Sequence, residues 1–97
     1  MTDHPPLPSQ FVYDLVQVTE ACNTYLAQQI PANAETAEAF ARTIVNTYDL
    51  SRIPVIVEVV AGLQRALELP GEADRIESLW HVTNIVEAKN MVLRFRG

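Results

Sequence analysis

Ninety-seven residues with 48% apolar content make one domain with its own core, needing neither metal nor disulfide for stability. The formal charge of −5 is unevenly spread: residues 1–41 hold Asp3, Asp14, Glu20, Glu35 and Glu38 but no lysine or arginine. That acidic first half argues against nucleic-acid binding, which rests on neutralising phosphates, and three glycines without an Asn-Gly or Asp-Gly pair argue against an all-β chain.

The chain opens on Pro5, Pro6 and Pro8, so residues 1–9 read as an extended or disordered arm. Ser9 is placed to cap a first helix over 10–29, with Phe11, Leu15, Val18, Cys22, Tyr25 and Leu26 on one face. Cys22 lies within that stripe, which makes it a buried thiol rather than a reactive one, and as the only cysteine it forms no internal disulfide. Tyr13 falls outside the stripe, a large aromatic residue suited to a contact surface or a stacking platform.

Ile30-Pro31 ends the first helix, because a residue before proline avoids the α region. Asn33 then caps a second helix over 34–48, whose apolar face is Ala37, Phe40, Ala41, Ile44 and Tyr48. The alanines permit close approach to a neighbour, and Glu38 sits one turn before Arg42, an i,i+4 ion pair.

The stretch 53–69 is the most apolar of the chain, and its valines and isoleucines alone suit a strand as well as a helix. On a 3.6-residue wheel, however, Ile53, Ile56, Val59, Val60, Leu63, Ala66 and Leu67 share one arc, opposite Glu58, Gln64, Arg65 and Glu68. The pattern lasts about four turns, too long for an ordinary strand. Pro54 suits a first helical turn and Ser51 is placed as its N-cap, so the spacing predicts a helix. Gly62 costs that helix about 0.5–1 kcal/mol relative to alanine, which a close crossing would explain.

Leu69-Pro70-Gly71 closes this segment, and a fourth helix is predicted over 72–95. Glu72, Asp74 and Glu77 near its start and Lys89, Arg94 and Arg96 near its end match the helix dipole. It carries Leu79, Val82, Val86 and Leu93 on one side, with Ile85 beside them, and Trp80, Met91 and Phe95 on another. A helix apolar on two sides is covered either by its own chain or by another molecule; tryptophan and methionine favour a subunit interface.

Catalytic chemistry finds little support. Glu77 and His81 have i,i+4 spacing but no third ligand in register, and the serines lack a base and an orienting group. The glycines form neither a phosphate loop nor a dinucleotide fingerprint. No cofactor and no metal are therefore expected.

The sequence is read as all-α: a four-helix antiparallel bundle, or two crossed helical hairpins, over 10–97 behind a disordered proline-rich arm. The leading expectation is a non-enzymatic interaction protein, a regulator or inhibitor that pairs with itself and with a basic protein, through Trp80, Met91, Phe95 and Tyr13. The alternative is a helical oligomer that binds a small ligand or nucleotide in a pocket between helices or subunits, lined by Tyr13, Trp80, His81 and Arg94. No membrane span or leader segment is read, so the expected compartment is the cytoplasm.

Overall fold

The computed structural model describes the backbone of residues 8–96 and the side chains of residues 8–86. Among these residues the chain is all-helical, with α1 at Ser9–Gln28, α2 at Pro31–Tyr48, α3 at Pro54–Leu67 and α4 at Glu72–Arg96. The ambiguous valine-rich stretch is α3. Its buried residues Ile56, Val59, Val60, Leu63 and Ala66 follow the helical arc, while Val55 and Val57 on the opposite side stay half exposed. Helical burial of one face outweighs the strand preference of isolated valines, because propensities differ by tenths of a kcal/mol while a buried side chain contributes about 1.5–3 kcal/mol.

Three helix starts differ from expectation. Ser9 is the first helical residue, and Pro8 takes the cap position without a side-chain bond. Pro31 opens α2 rather than only ending α1: Ile30 is extended at φ −89°, ψ 120°, and Asn33 lies inside the first turn. A proline lacks the N–H that this turn would leave unpaired, so it initiates helices well. The same device opens α3, where Ile53 is extended and Pro54 follows. Ser51 does accept a backbone N–H, from Ile53 at 3.1 Å, but from before the helix rather than from its first turn. The end of α1 is set by Gln29, which stands in the left-handed region at φ 55° and donates its N–H to the Tyr25 carbonyl.

α1 packs on α2 and α4, and α3 packs on α4 and α2. Phe11, Leu15, Val18, Cys22 and Tyr25 of α1 meet Ala34, Ala37, Ala41 and Ile44 of α2 in one cluster with the α3 arc and Ile76 and Leu79 of α4. The small face of α2 allows the large residues of α1 to lie close, and Phe11 meets Tyr48 edge to face with centroids 4.9 Å apart. Gly62 serves the α3–α4 contact: a Cβ there would come within 3.3 Å of Val82 Cγ2. Leu26, Phe40 and Ile53, expected on buried faces, are instead 42%, 39% and 37% exposed, the first two at the margins of their helical faces and Ile53 in the extended residue before α3.

Two polar arrangements cross the core. Thr19 Oγ1 of α1 lies 2.7 Å from Thr83 Oγ1 of α4, and Thr83 Oγ1 lies 3.0 Å from the Leu79 carbonyl. One hydroxyl proton each allows Thr19 to donate to Thr83 and Thr83 to donate to Leu79. Glu38 of α2 is buried, with Oε1 3.2 Å from Arg75 Nε of α4 and 3.4 Å from Arg42 Nη2. Arg75 Nη1 also donates to the carbonyls of Leu69 and Pro70, tying the link before α4 to the helix it starts. The 3.2 Å approach is an ion pair without hydrogen-bond alignment, since Arg75 Nε has no aligned acceptor.

Candidate functional site

The sequence-predicted residues divide among different faces. Tyr13 is 60% exposed on α1 and forms one wall of a groove shared with α2. The groove is about 280 Å³, and Tyr13, Asp14 and Gln17 face Phe40, Thr43 and Ile44 across it. The helical repeat explains the grouping. Tyr13 and Gln17 are one turn apart on α1, as are Phe40 and Ile44 on α2, so two short ridges flank one depression. Ile44 is buried and makes an apolar floor, while the Tyr13 and Phe40 rings project above it. Asp14 is held from both sides: Gln10 Nε2 donates to Oδ1 at 2.9 Å and the Tyr48 hydroxyl donates to Oδ2 at 3.1 Å. Burial, reinforced by Asp14, pushes the Tyr48 phenol above its ordinary range, so this pair stays a neutral donor on a carboxylate. A carboxylate so engaged orients the groove wall and is poorly placed to act as a base.

Trp80 lies elsewhere. It is partly buried against its own core, and its Nε1 donates to Asn23 Oδ1 of α1 at 2.7 Å. The indole therefore spans the α1–α4 seam, with the His81 ring edge-on at 5.4 Å. His81 faces a second groove, about 360 Å³, between α3 and α4, with Arg65 and Ser78 over Gly62, Ala66, Leu69 and Val82. Tyr13 and His81 thus line separate grooves within one chain, and Trp80 lines neither. The helices carrying them are individually as expected; their rotation about the core separates the side chains.

Met91, Phe95 and Arg94, expected respectively at an interface and at a ligand, lie outside the residues whose side chains are described. Glu77 and His81 are both exposed, and among the described residues no group of three or more His, Cys, Asp or Glu is placed to hold a metal ion. Cys22 is fully buried, and burial pushes its thiol up to about 12. No helix among the described residues is long and apolar enough to cross a membrane.

Sequence periodicity missed Phe40 as a groove wall, because it sits on the edge of an otherwise buried stripe. It also missed Asn23, Arg75 and the Thr19–Thr83 pair. Their roles depend on residues far away in sequence, and only the repeat of Thr83 with Leu79 and Ile76 along α4 hinted that this threonine faces inward. No protein-family model, curated protein or solved structure matches this chain.

Proposed function

We propose that this chain is a small non-enzymatic interaction protein, a regulator or inhibitor that assembles with itself and occupies the surface of a partner. The observation that carries the reading is the α1–α2 groove, where Tyr13 and Phe40 stand exposed over buried Ile44. Exposed aromatic rings beside an apolar floor are suited to receiving an anchoring side chain. Asp14 in the groove wall supplies a negative charge that favours a basic partner.

The scaffold in this reading is an antiparallel bundle that begins with α1 at Ser9. Its support lies in the pairing of distant residues. Tyr25 with Glu72 and Thr19 with Thr83 put α1 and α4 in opposite senses, and Phe11 with Tyr48 does the same for α1 and α2. Such a bundle holds groove walls on rigid elements.

The test is solution mass by light scattering across a concentration series, with Tyr13→Glu and Phe40→Glu beside the wild type. The expected outcome is an oligomer that both variants weaken while circular dichroism stays unchanged. A wild-type monomer at all concentrations, with no partner recovered by cross-linking in lysate, removes the basis of the reading.

A second reading is favoured by the α3–α4 groove, where Arg65 and His81 flank an apolar floor: binding of a small anionic or aromatic metabolite. A thermal-shift screen separates the two, since a ligand at 100 times its dissociation constant adds about 2.7 kcal/mol.

A further inference from the structure

Residues 5–8 read Pro-Pro-Leu-Pro, and Pro8 abuts the helix that carries Tyr13. We propose that the α1–α2 groove receives the Pro5–Pro8 segment of a second copy of this chain, so that two chains exchange their N-terminal segments. The inference rests on the interaction-protein reading above and identifies one occupant of its groove.

Three observations converge on that occupant. The first is chemical. Proline rings pack against aromatic faces, and a polyproline segment loses little entropy on binding because its backbone is already restricted. Tyr13 and Phe40 supply the faces and Ile44 the floor between them. A polyproline strand makes no internal hydrogen bonds, so its carbonyls need donors from the groove. The Gln17 amide and the Tyr13 hydroxyl on the α1 wall are of that kind. Thr43, whose hydroxyl donates to the Ala39 carbonyl at 3.0 Å, is left as an acceptor, and both Asp14 oxygens already accept bonds.

The second observation is the backbone of Pro8, which stands at φ −54° and ψ 136°. This lies close to polyproline geometry, about −75° and +145°. The residue that joins the segment to α1 therefore already has the conformation the groove would select.

The third is reach, and it separates a second copy from the chain's own groove. Tyr13 lies five residues beyond Pro8, about 7.5 Å along the helix at 1.5 Å per residue. Pro8 is fixed to the start of α1, so it cannot enter the groove that its own helix walls. To bring Pro5 and Pro6 there, the chain would have to reverse within the Pro5–Pro8 run, which prolines stiffen. A second molecule meets no such constraint. Two chains related by a two-fold axis make the contact twice, and each contact raises the effective concentration for the other.

The experiment uses the full chain with Thr2→Cys carrying a nitroxide. Cys22 stays unlabelled because it is fully buried and its thiol is pushed up to about 12. Spin-labelled chain without isotope is mixed with ¹⁵N-labelled wild type at high concentration. Exchange predicts that amide peaks of Tyr13, Gln17, Phe40 and Thr43 lose intensity in the mixture and recover when the nitroxide is reduced. Replacing Pro5 and Pro6 by glycine in the spin-labelled chain should abolish the loss. Three results overturn the proposal: no loss at these amides, loss only when one molecule carries both labels, or loss that survives removal of the prolines. An oligomer by light scattering without loss at the groove sinks the exchange and leaves the interaction reading standing. A monomer with no loss sinks the exchange and the self-assembly on which it rests.

Discussion

Glu38 offers a controlled comparison, because one carboxylate oxygen serves two arginines in different surroundings. Arg75 Nε lies at 3.2 Å with its side chain 21% exposed, and Arg42 Nη2 at 3.4 Å with its side chain 58% exposed. Distance alone would rate them nearly equal. Burial separates them, since water screens Arg42 and holds its charge equally well once the carboxylate is gone. Among the described residues, Arg75 would keep the Leu69 and Pro70 carbonyls as its partners. Glu38→Gln preserves shape and removes the charge, so it is expected to cost about 1–2 kcal/mol, between the worth of an exposed and of a fully buried ion pair. For a domain of this size each kcal/mol lowers Tm by about 4–8 °C. Arg42→Ala should fall within about 0.5 kcal/mol of wild type. Double-mutant cycles in urea, followed by the fluorescence of the single Trp80, isolate the two couplings. The Glu38–Arg75 coupling should reach about 1–2 kcal/mol, discounted for imperfect alignment, against about 0.2–0.5 kcal/mol for Glu38–Arg42. Equal couplings, or a larger one for Arg42, would refute the claim that burial decides.

Other consequences are open to measurement. Cys22 should resist a thiol reagent at pH 8 in the native protein and react once urea unfolds it; prompt native labelling would contradict its burial. Burial, with help from Glu72 at Tyr25 and from Asp14 at Tyr48, raises both phenols above 10.0. The fold therefore favours their protonated forms, and that stability is whole below pH 10 and lost as pH rises through the raised values. Phenolate absorbance that appears for these two only together with loss of helix is the expected signature. Gln29→Gly should stabilise the protein by about 0.5–1 kcal/mol, because relief of a left-handed side chain exceeds the added entropy of glycine. A fall in the urea midpoint would count against that backbone conformation. Thr83→Val should cost about 1 kcal/mol by removing the bond to Thr19, with little change in packed volume.

Much of the helical layout could be read without coordinates. Most of the buried faces of α1 and α3 follow from their 3.6-residue repeat, including Cys22 and the decision between strand and helix at the valines, whereas Leu26 and Ile53 at the ends of those stripes are exposed. Helix starts were less legible, because Pro31 and Pro54 each serve as the first helical residue while polar residues nearby look equally suited to cap. The candidate site was legible in one residue. Tyr13 broke the stripe of α1, whereas Phe40 fitted the stripe of α2 and concealed its exposure at the edge.

Local pattern determined that this chain is helical, where its elements lie and which side of each is apolar, because those properties depend on residues within a turn or two of one another. The tertiary structure alone decided that Arg75 reaches Glu38, that Trp80 bonds Asn23, and that Tyr13 stands across from Phe40 and away from His81. Each of those outcomes depends on how far one helix is rotated and shifted against the next. That placement is set by the fit of the whole core, with the alanines of α2 and Gly62 of α3 fixing how closely the helices meet.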